Sequence, residues 1–505
     1  MVNLRPYQLE VIAKVDAAID AGKRRPLIVA PTGAGKTVVA AALVKAAIEH
    51  RGRVLFLAHR RELIHQAHHK LFQHGIDAGL VLAGTEGRPH VAVQVASVQT
   101  LWARAMRSRA MELPEADLVI VDEAHHVRAQ TYQKIIEAYG RAIVIGLTAT
   151  PCRGDGRGLG KAFDCIVECP PVQELIDLAF LVPTKVFAPT RPDLSGVQVQ
   201  RGDYVEKQLA EVMDTGALIG DIVTHWHKLA ERRKTVVFAT GVAHSVHLRD
   251  EFRRSGVMAE HIDGSTPAEE RDAILAKLAR GSIDLVCNCM VLTEGWDSPE
   301  VSCIVLARPT KSMGLYRQMV GRVLRPAPGK ADALVLDHAG AVFTHGFVEE
   351  AIEWTLREDR RAESPAQRSR AAGTMPTLTT CPECSAVRWE GRPCSSCGWR
   401  PAPRARAVDV ADGELGRVGR DRRVKAQDYG PDDRRRFHAQ LLYIARERGY
   451  AQGWAAHKFK EKFGSFPDSP PWSPPSPLPP DDATRSWVRS RQIAYAKAMQ
   501  KAAGG

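Results

Sequence analysis

From Pro26 onward the chain alternates short apolar runs with segments whose apolar residues recur at helical spacing. "PLIVA" (Pro26–Ala30), "RVLFLAH" (Arg53–His59), "VAVQVAS" (Val91–Ser97), "DLVIVDE" (Asp117–Glu123) and "AIVIGLTAT" (Ala142–Thr150) predict strands buried on both faces. Thr37–Glu49 and Arg61–Phe72 predict the helices between them. A second block follows: "TVVFAT" (Thr235–Thr240), "SIDLVCN" (Ser282–Asn288), "SCIVLAR" (Ser302–Arg308) and "ADALVLD" (Ala331–Asp337), with helices such as Glu269–Leu278. This alternation predicts two α/β units joined near Pro170–Thr190, each a doubly wound parallel sheet with ligands at the carboxyl ends of its strands.

Past Trp354 the pattern stops. The expected division is 1–180 and 181–345 for the α/β units, 346–375 for a polar linker and 376–402 for a cysteine module. A second linker follows at 403–427, then a helical segment at 428–465, in which Phe437, Leu441, Leu442, Ile444 and Ala445 fall near one face. A Pro-rich spacer and basic tail occupy 466–505, the spacer (Pro467–Asp482) expected to be extended or disordered. With 505 residues the chain is too long for one core, and 44% hydrophobic with 25% charged residues is the composition of a globular protein.

Charge changes the picture. A net charge of +12 favours a polyanionic partner, nucleic acid first. No window is apolar enough to span a membrane, and "MVNLRPYQLE" lacks the basic start and apolar run of a signal peptide. A cytoplasmic location is therefore expected, where thiols stay reduced and paired Cys-x-x-Cys signals metal before disulfide.

"PTGAGKT" (Pro31–Thr37) follows a strand and opens a helix, the context a phosphate loop needs. The loop of Pro31, Thr32, Gly33, Ala34 and Gly35 is expected to wrap the phosphates, its glycines letting backbone N–H groups turn toward them; Lys36 brings a point charge, and the Thr37 hydroxyl is a ligand for Mg²⁺. Ala30 stands where the usual pattern has its first glycine. "LVIVDEAHH" puts Asp122 and Glu123 at the end of a strand, one to hold Mg²⁺ and the other to polarise an attacking water. Cys381, Cys384, Cys394 and Cys397 form two knuckles suited to a closed, structural Zn²⁺ site. Arg388, Trp389, Arg392, Trp399 and Arg400 interleave basic and aromatic groups, a composition that suits nucleic acid, although zinc serving only to hold this segment folded is the other reading. The other six cysteines lie in or beside predicted core strands and are read as small buried hydrophobes.

Asp122-Glu123-Ala124-His125 is a DEAH box, and the chain resembles a superfamily 2 helicase over roughly residues 1–345. The resemblance implies two tandem RecA-like lobes and ATP as substrate. It places Arg5 and Gln8 of "LRPYQ" on the adenine, and His125 of the DEAH box with Gly295 and Asp297 of "VLTEGWDSPEV" at the nucleotide. "LFLAHRRELIHQ" and "SVQTL" look like strand-tracking motifs, so His59, Arg60, Arg61 and Gln99 in the first lobe, with Thr240 and Thr293 in the second, are expected to contact nucleic acid. "LTATP" implies coupling of hydrolysis to movement through Thr148 and Thr150. In "YRQMVGRVLR", Gln318, Arg322 and Arg325 share one helix face, and the resemblance gives the arginines the γ-phosphate when the lobes close; which of them dominates is left open.

"GWDSP", "ARPTKS", "QMVGRVLR" and "GWAAHKFKEKFG" further resemble the bacterial RadD-type DNA-repair helicases. The expected activity is a nucleic-acid-stimulated ATPase that translocates on single-stranded or branched DNA. An RNA helicase, a zinc-dependent DNA-bridging protein that uses ATP as a switch, and the motor part of a restriction system are the alternatives. A protein partner at the cysteine module or the tail is also left open.

Overall fold

The computed structural model describes residues 4–127, 130–152, 158–189, 191–200, 202–359, 364, 367–369, 372–373, 377–401, 429–451, 453–467 and 475–503, with side chains to 494. The expected linker at 403–427 lies outside these residues, as do residues 468–474 of the Pro-rich spacer and most of 360–376. The chain forms two compact units, Met1–Pro403 and Arg404–Gly505.

The first unit holds two parallel sheets. Lobe 1 has seven strands: β1 (Pro26–Val29), β2 (Val54–Ala58), β3 (Gly79–Val81), β4 (Val93–Ser97), β5 (Leu118–Val121), β6 (Ile143–Thr148) and β7 (Cys165–Glu168), in the order β3-β4-β2-β5-β6-β1-β7. Register is fixed by pairs such as Val29↔Thr148 and Leu57↔Val121. Helices α1 (Pro6–Asp20), α2 (Lys36–Glu49) and α3 (Arg61–Gln73) pack on one face. The other face is covered by residues such as Tyr132, Ile136 and Phe163. With both faces covered, β1, β2, β4 and β5 are buried throughout.

Lobe 2 has six strands: β8 (Thr184–Phe187), then β11 (Thr235–Phe238), β12 (Ala259–Ile262), β13 (Leu285–Asn288), β14 (Cys303–Leu306) and β15 (Ala333–Asp337), in the order β12-β13-β11-β14-β15-β8. Between β8 and β11 lies the two-stranded β9 (Val199–Gln200) and β10 (Asp203–Tyr204).

One connection departs from the expected linkers. After lobe 2 the chain returns to lobe 1: Gly158 and Gly160 donate backbone N–H groups to the carbonyls of Arg357 and Leu356. Trp354 and Leu356 pack against the lobe 1 core, and a Cβ at Gly158 would overlap the Leu356 backbone. The lobes are thus joined twice, by the segment before β8 and by this returning strap.

The cysteine hairpin, β16 (Leu378–Thr380) and β17 (Val387–Trp389), is seated on lobe 2. Ala386 bridges to Phe187 of the edge strand β8, and Cys381, Cys394 and Ala386 join the lobe 2 core. A sheet edge with unpaired N–H and C=O groups is thereby partly covered.

The second unit is helical. Helices Pro431–Glu447, Trp454–Phe463 and Asp482–Ala503 enclose Phe437, Leu441, Ile444, Phe459, Phe463 and Val488. The expected spacer and tail differ here. Leu478 N–H donates to Ala439 O, Asp481 accepts from Gln440 and caps Thr484, and the tail is a helix of 22 residues. No helix among the described residues is long and apolar enough to cross a membrane.

Candidate nucleotide site and lobe interface

The phosphate loop leaves β1 and enters α2. Gly33 and Gly35 have φ of 91° and 80°, left-handed values that glycine reaches at little steric cost. Both glycines are also crowded. A Cβ at Gly33 would lie 2.9 Å from Leu181 Cδ2 and 3.2 Å from Arg325 Cγ; at Gly35 it would lie 2.6 Å from Gln8 Nε2. Lys36 and Thr37 open α2, so its N-terminal amides and dipole face the loop.

Arg5, Tyr7 and Gln8 brace the loop from α1. The Tyr7 hydroxyl donates to Ala34 O at 2.8 Å and Gln8 Nε2 donates to the same carbonyl at 3.2 Å. Gln8 Oε1 accepts from Arg5 N at 2.9 Å, and the Arg5 guanidinium lies 4.4 Å over the Phe180 ring. Both ends of the Gln8 amide are therefore engaged by backbone. Tyr7 was missed by the sequence reading; its place between Arg5 and Gln8 is the signal that pointed to it.

Asp122 and Glu123 follow β5 directly. Asp122 Oδ1 accepts from Glu123 N at 3.0 Å. Glu123 is held at φ 47° and ψ 53°, a left-handed conformation that costs a residue with a Cβ about 1–3 kcal/mol. Its Oε2 is buried, accepts no hydrogen bond and lies 3.5 Å from His125 Nδ1. Burial and the Glu123 charge push the Asp122 carboxyl up to about 7. Burial pulls the Lys36 ammonium down, opposed by Glu123 and Asp122, and its Nζ reaches Ala30 O at 3.4 Å. A buried ammonium with a lone carbonyl contact and a buried carboxylate oxygen without a donor fit a Mg²⁺–triphosphate.

Lobe 2 closes over this loop. Gly321 comes so near that a Cβ there would lie 2.5 Å from Thr32 Cβ. Arg325 packs its stem on Gly33 and pairs with Asp297. Arg322 is buried and occupied elsewhere: its Nε donates to Thr293 O at 3.0 Å and its Nη1 to Trp296 O at 2.7 Å. Gln318, one turn before it, is buried as well. Gly295, at φ 69°, offers its carbonyl to Gln66 of α3. Thr148 Oγ1 donates to Thr150 O at 3.0 Å and lies 3.2 Å from His125 Nδ1, while Thr150 abuts Gly314 of lobe 2.

The expected nucleic-acid residues separate into two groups. His59 and Arg60 are half-buried at the lobe interface, and Arg60 with Arg61 lines a cleft of about 850 Å³ between the lobes. Gln99 is exposed and accepts from Ser97 Oγ at 2.9 Å. Thr240 and Thr293 are buried instead. The Thr240 hydroxyl lies 2.8 Å from His244 Nδ1, and the Thr293 hydroxyl donates to Met290 O at 2.8 Å. Neither hydroxyl faces solvent, because both tie down turns at the ends of central strands.

The four cysteine sulfurs lie within 4.8 Å of one another, with Cys381–Cys397 and Cys384–Cys394 each 3.7 Å apart. Four thiolates about 2.3 Å from a tetrahedral Zn²⁺ are about 3.8 Å apart, so the set fits that ion. The interleaved basic and aromatic groups are partly used inside the fold. Arg388 donates to the carbonyls of Trp389 and Arg392 and lies 4.5 Å over the Trp399 ring, and Trp389 meets Phe347 at 5.8 Å. Arg392 and Arg400 remain exposed.

Comparison with known proteins follows the two sheets. The family model described as "Type III restriction enzyme, res subunit" matches residues 1–153, and "Helicase conserved C-terminal domain" matches residues 217–327. A 51.5 kDa protein of a Lactococcus phage is 31% identical over 374 residues, covering 74% of this chain and 77% of the phage protein. The Saccharomyces cerevisiae protein IRC3, named as an ATP-dependent helicase, is 33% identical over 361 residues; this chain spans about half, 52%, of its length. Among solved structures, a fragment of an HsdR subunit of a type I restriction enzyme from Vibrio vulnificus shares the fold with a TM-score of 0.53 and 23% identity, over 68% of this chain and 65% of the fragment. With these two family models over the two lobes and IRC3 at 33% identity, the chain belongs to the superfamily 2 helicases.

Proposed function

We propose that this chain is a nucleic-acid-stimulated ATPase that moves along DNA and separates its strands, in the manner of RadD-type repair helicases. The observation that carries the reading is the meeting of three elements at one interface: the phosphate loop, the buried Asp122–Glu123 pair and Arg325 from the opposite lobe. Lys36 and the amides of Gly33 to Thr37 hold the phosphates. Asp122 and Thr37 hold Mg²⁺, which when bound neutralises phosphate charge. Glu123 orients the attacking water and takes its proton. Arg325, free to approach only from a closed lobe 2, neutralises the transferred phosphoryl group. Arg322 keeps the Thr293–Trp296 turn in shape rather than sharing that role.

Thr148 and Thr150 supply coupling, since one touches His125 and the other abuts lobe 2. Nucleic acid runs past Arg60, Arg61 and Gln99, contacted through its backbone and hence with little sequence preference. DNA is favoured over RNA by the match of lobe 1 to a restriction-enzyme subunit model. The cysteine hairpin is read as a zinc-held cap on lobe 2, because its aromatic groups pack inward.

Lys36→Ala should abolish ATP turnover while DNA binding persists. Turnover at the wild-type rate in that variant removes the ATP-site assignment. Strand displacement from a tailed duplex with ATP, and none with a non-hydrolysable analogue, separates the motor from an ATP-switched bridging protein.

A further inference from the structure

Glu294, which the sequence reading passed over, comes from lobe 2 and enters a group of basic residues on lobe 1. Its Oε1 lies 3.3 Å from both His125 Nε2 and His126 Nε2, and its Oε2 lies 3.3 Å from His59 Nε2 and 3.6 Å from Arg60 Nε. Its side chain is only 7% exposed. Burial alone would raise its pKa, but the three imidazoles hold it well below the carboxylate range. It is thus a fixed negative charge at the lobe interface.

His125 links that charge to the reaction. Its Nε2 faces Glu294, while its Nδ1 lies 3.2 Å from Thr148 Oγ1 and 3.5 Å from Glu123 Oε2. One imidazole therefore touches the lobe 2 carboxylate, the coupling threonine and the carboxylate that must activate water. His59, His126 and Glu294 also lie close enough together to suggest a metal cage. The Arg60 guanidinium on the same carboxylate argues against one, because a divalent cation would sit against a permanent positive charge.

We propose that Glu294 is a positioning residue that carries lobe closure to Glu123 through His125. When lobe 2 closes, Glu294 fixes the His125 ring, and the ring fixes Glu123 in its strained conformation. Opening removes the counter-charge, frees the ring and leaves Glu123 misplaced. Hydrolysis then waits for closure at two points, Arg325 on the phosphate and Glu294 behind the base. This inference rests on the ATP site proposed above.

The test uses the full-length protein and isosteric or near-isosteric variants, Glu294→Gln and His125→Asn, alone and combined. At saturating ATP and single-stranded DNA, each single variant should lower kcat by about 10- to 100-fold, the cost of misplacing a reacting group by about 1 Å. Fluorescent-ATP affinity should hold within about threefold, and the double variant should be no slower than the worse single one, as residues acting in series are not additive. Weakened nucleotide affinity with kcat unchanged, or losses that multiply in the double variant, would overturn the relay. Failure of the ATP site itself is distinguishable, because it would show as turnover surviving Lys36→Ala.

Discussion

Arg322 and Arg325 are three residues apart on the same stretch and have different work. Arg325 reaches the phosphate loop, whereas Arg322 is buried under the Thr293–Trp296 turn. Arg325→Ala should therefore lower kcat and leave the melting temperature near wild type. Arg322→Ala should lower the melting temperature as well, since each hydrogen bond from a charged group contributes about 1.5–3 kcal/mol. Paired thermal melts and ATPase rates check the split; equal melting temperatures for the two variants would refute it. His125 adds a pH dependence. Burial lowers its pKa, but the Glu294 hydrogen bond and the Glu123 and Glu294 charges outweigh burial and raise it above 6.5, against the opposing charge of Lys36. His59, Arg60 and His126 share the Glu294 carboxylate that faces it. A raised histidine stabilises the closed form fully below about pH 6.5 and loses that contribution as pH rises through the elevated value. Turnover measured from about pH 6 to about pH 9 should fall on the alkaline side, and in Glu294→Gln that fall should begin at lower pH. None of this was visible from residue type alone, since Glu294 reads as one acidic residue in "VLTEGWD".

At the scale of elements, the central strands were legible and the edge strands were not. β1, β2, β4, β5, β11, β13 and β14 are buried at every position and read as mainly apolar runs. The strands missed in the two large sheets, β3, β7, β8 and β12, are their four ends. They are half-exposed; β7, β8 and β12 carry polar residues, as in "AEHI" of β12, and β3 is only three residues long, so the apolar signal is diluted or short. The phosphate loop and DEAH box were legible because their chemistry is contiguous in sequence. The strap and the seating of the cysteine hairpin were not, because polar sequence says nothing about what it packs against. Two glycines test the packing directly. Gly321→Ala places a methyl against Thr32 and should block closure, with hydrolysis lost and ATP still bound by lobe 1. Cys394→Ser should release zinc and lower the melting temperature of the first unit, because the hairpin caps the open edge of β8. Unchanged melting would mean the hairpin is not part of the lobe 2 core. At Gly158, alanine would displace the strap, and limited proteolysis should then cleave near Leu356 faster than in wild type.

For the whole molecule, the net charge of +12 and the cleft lined by Arg60 and Arg61 predict that DNA binding weakens with salt. The lobes, tied by the segment before β8 and by the strap, are suited to small cycles of opening and closing. In the proposed cycle ATP is split only in the closed form, and nucleic acid across both lobes favours that form. The most direct measurement is the steady-state ATP hydrolysis rate of the full-length protein with no nucleic acid, single-stranded, forked and duplex DNA, and RNA, each at low and high salt. The account predicts a low basal rate, strong stimulation by single-stranded or forked DNA, and loss of that stimulation as salt rises. A rate that is the same with and without nucleic acid at every salt concentration would contradict it.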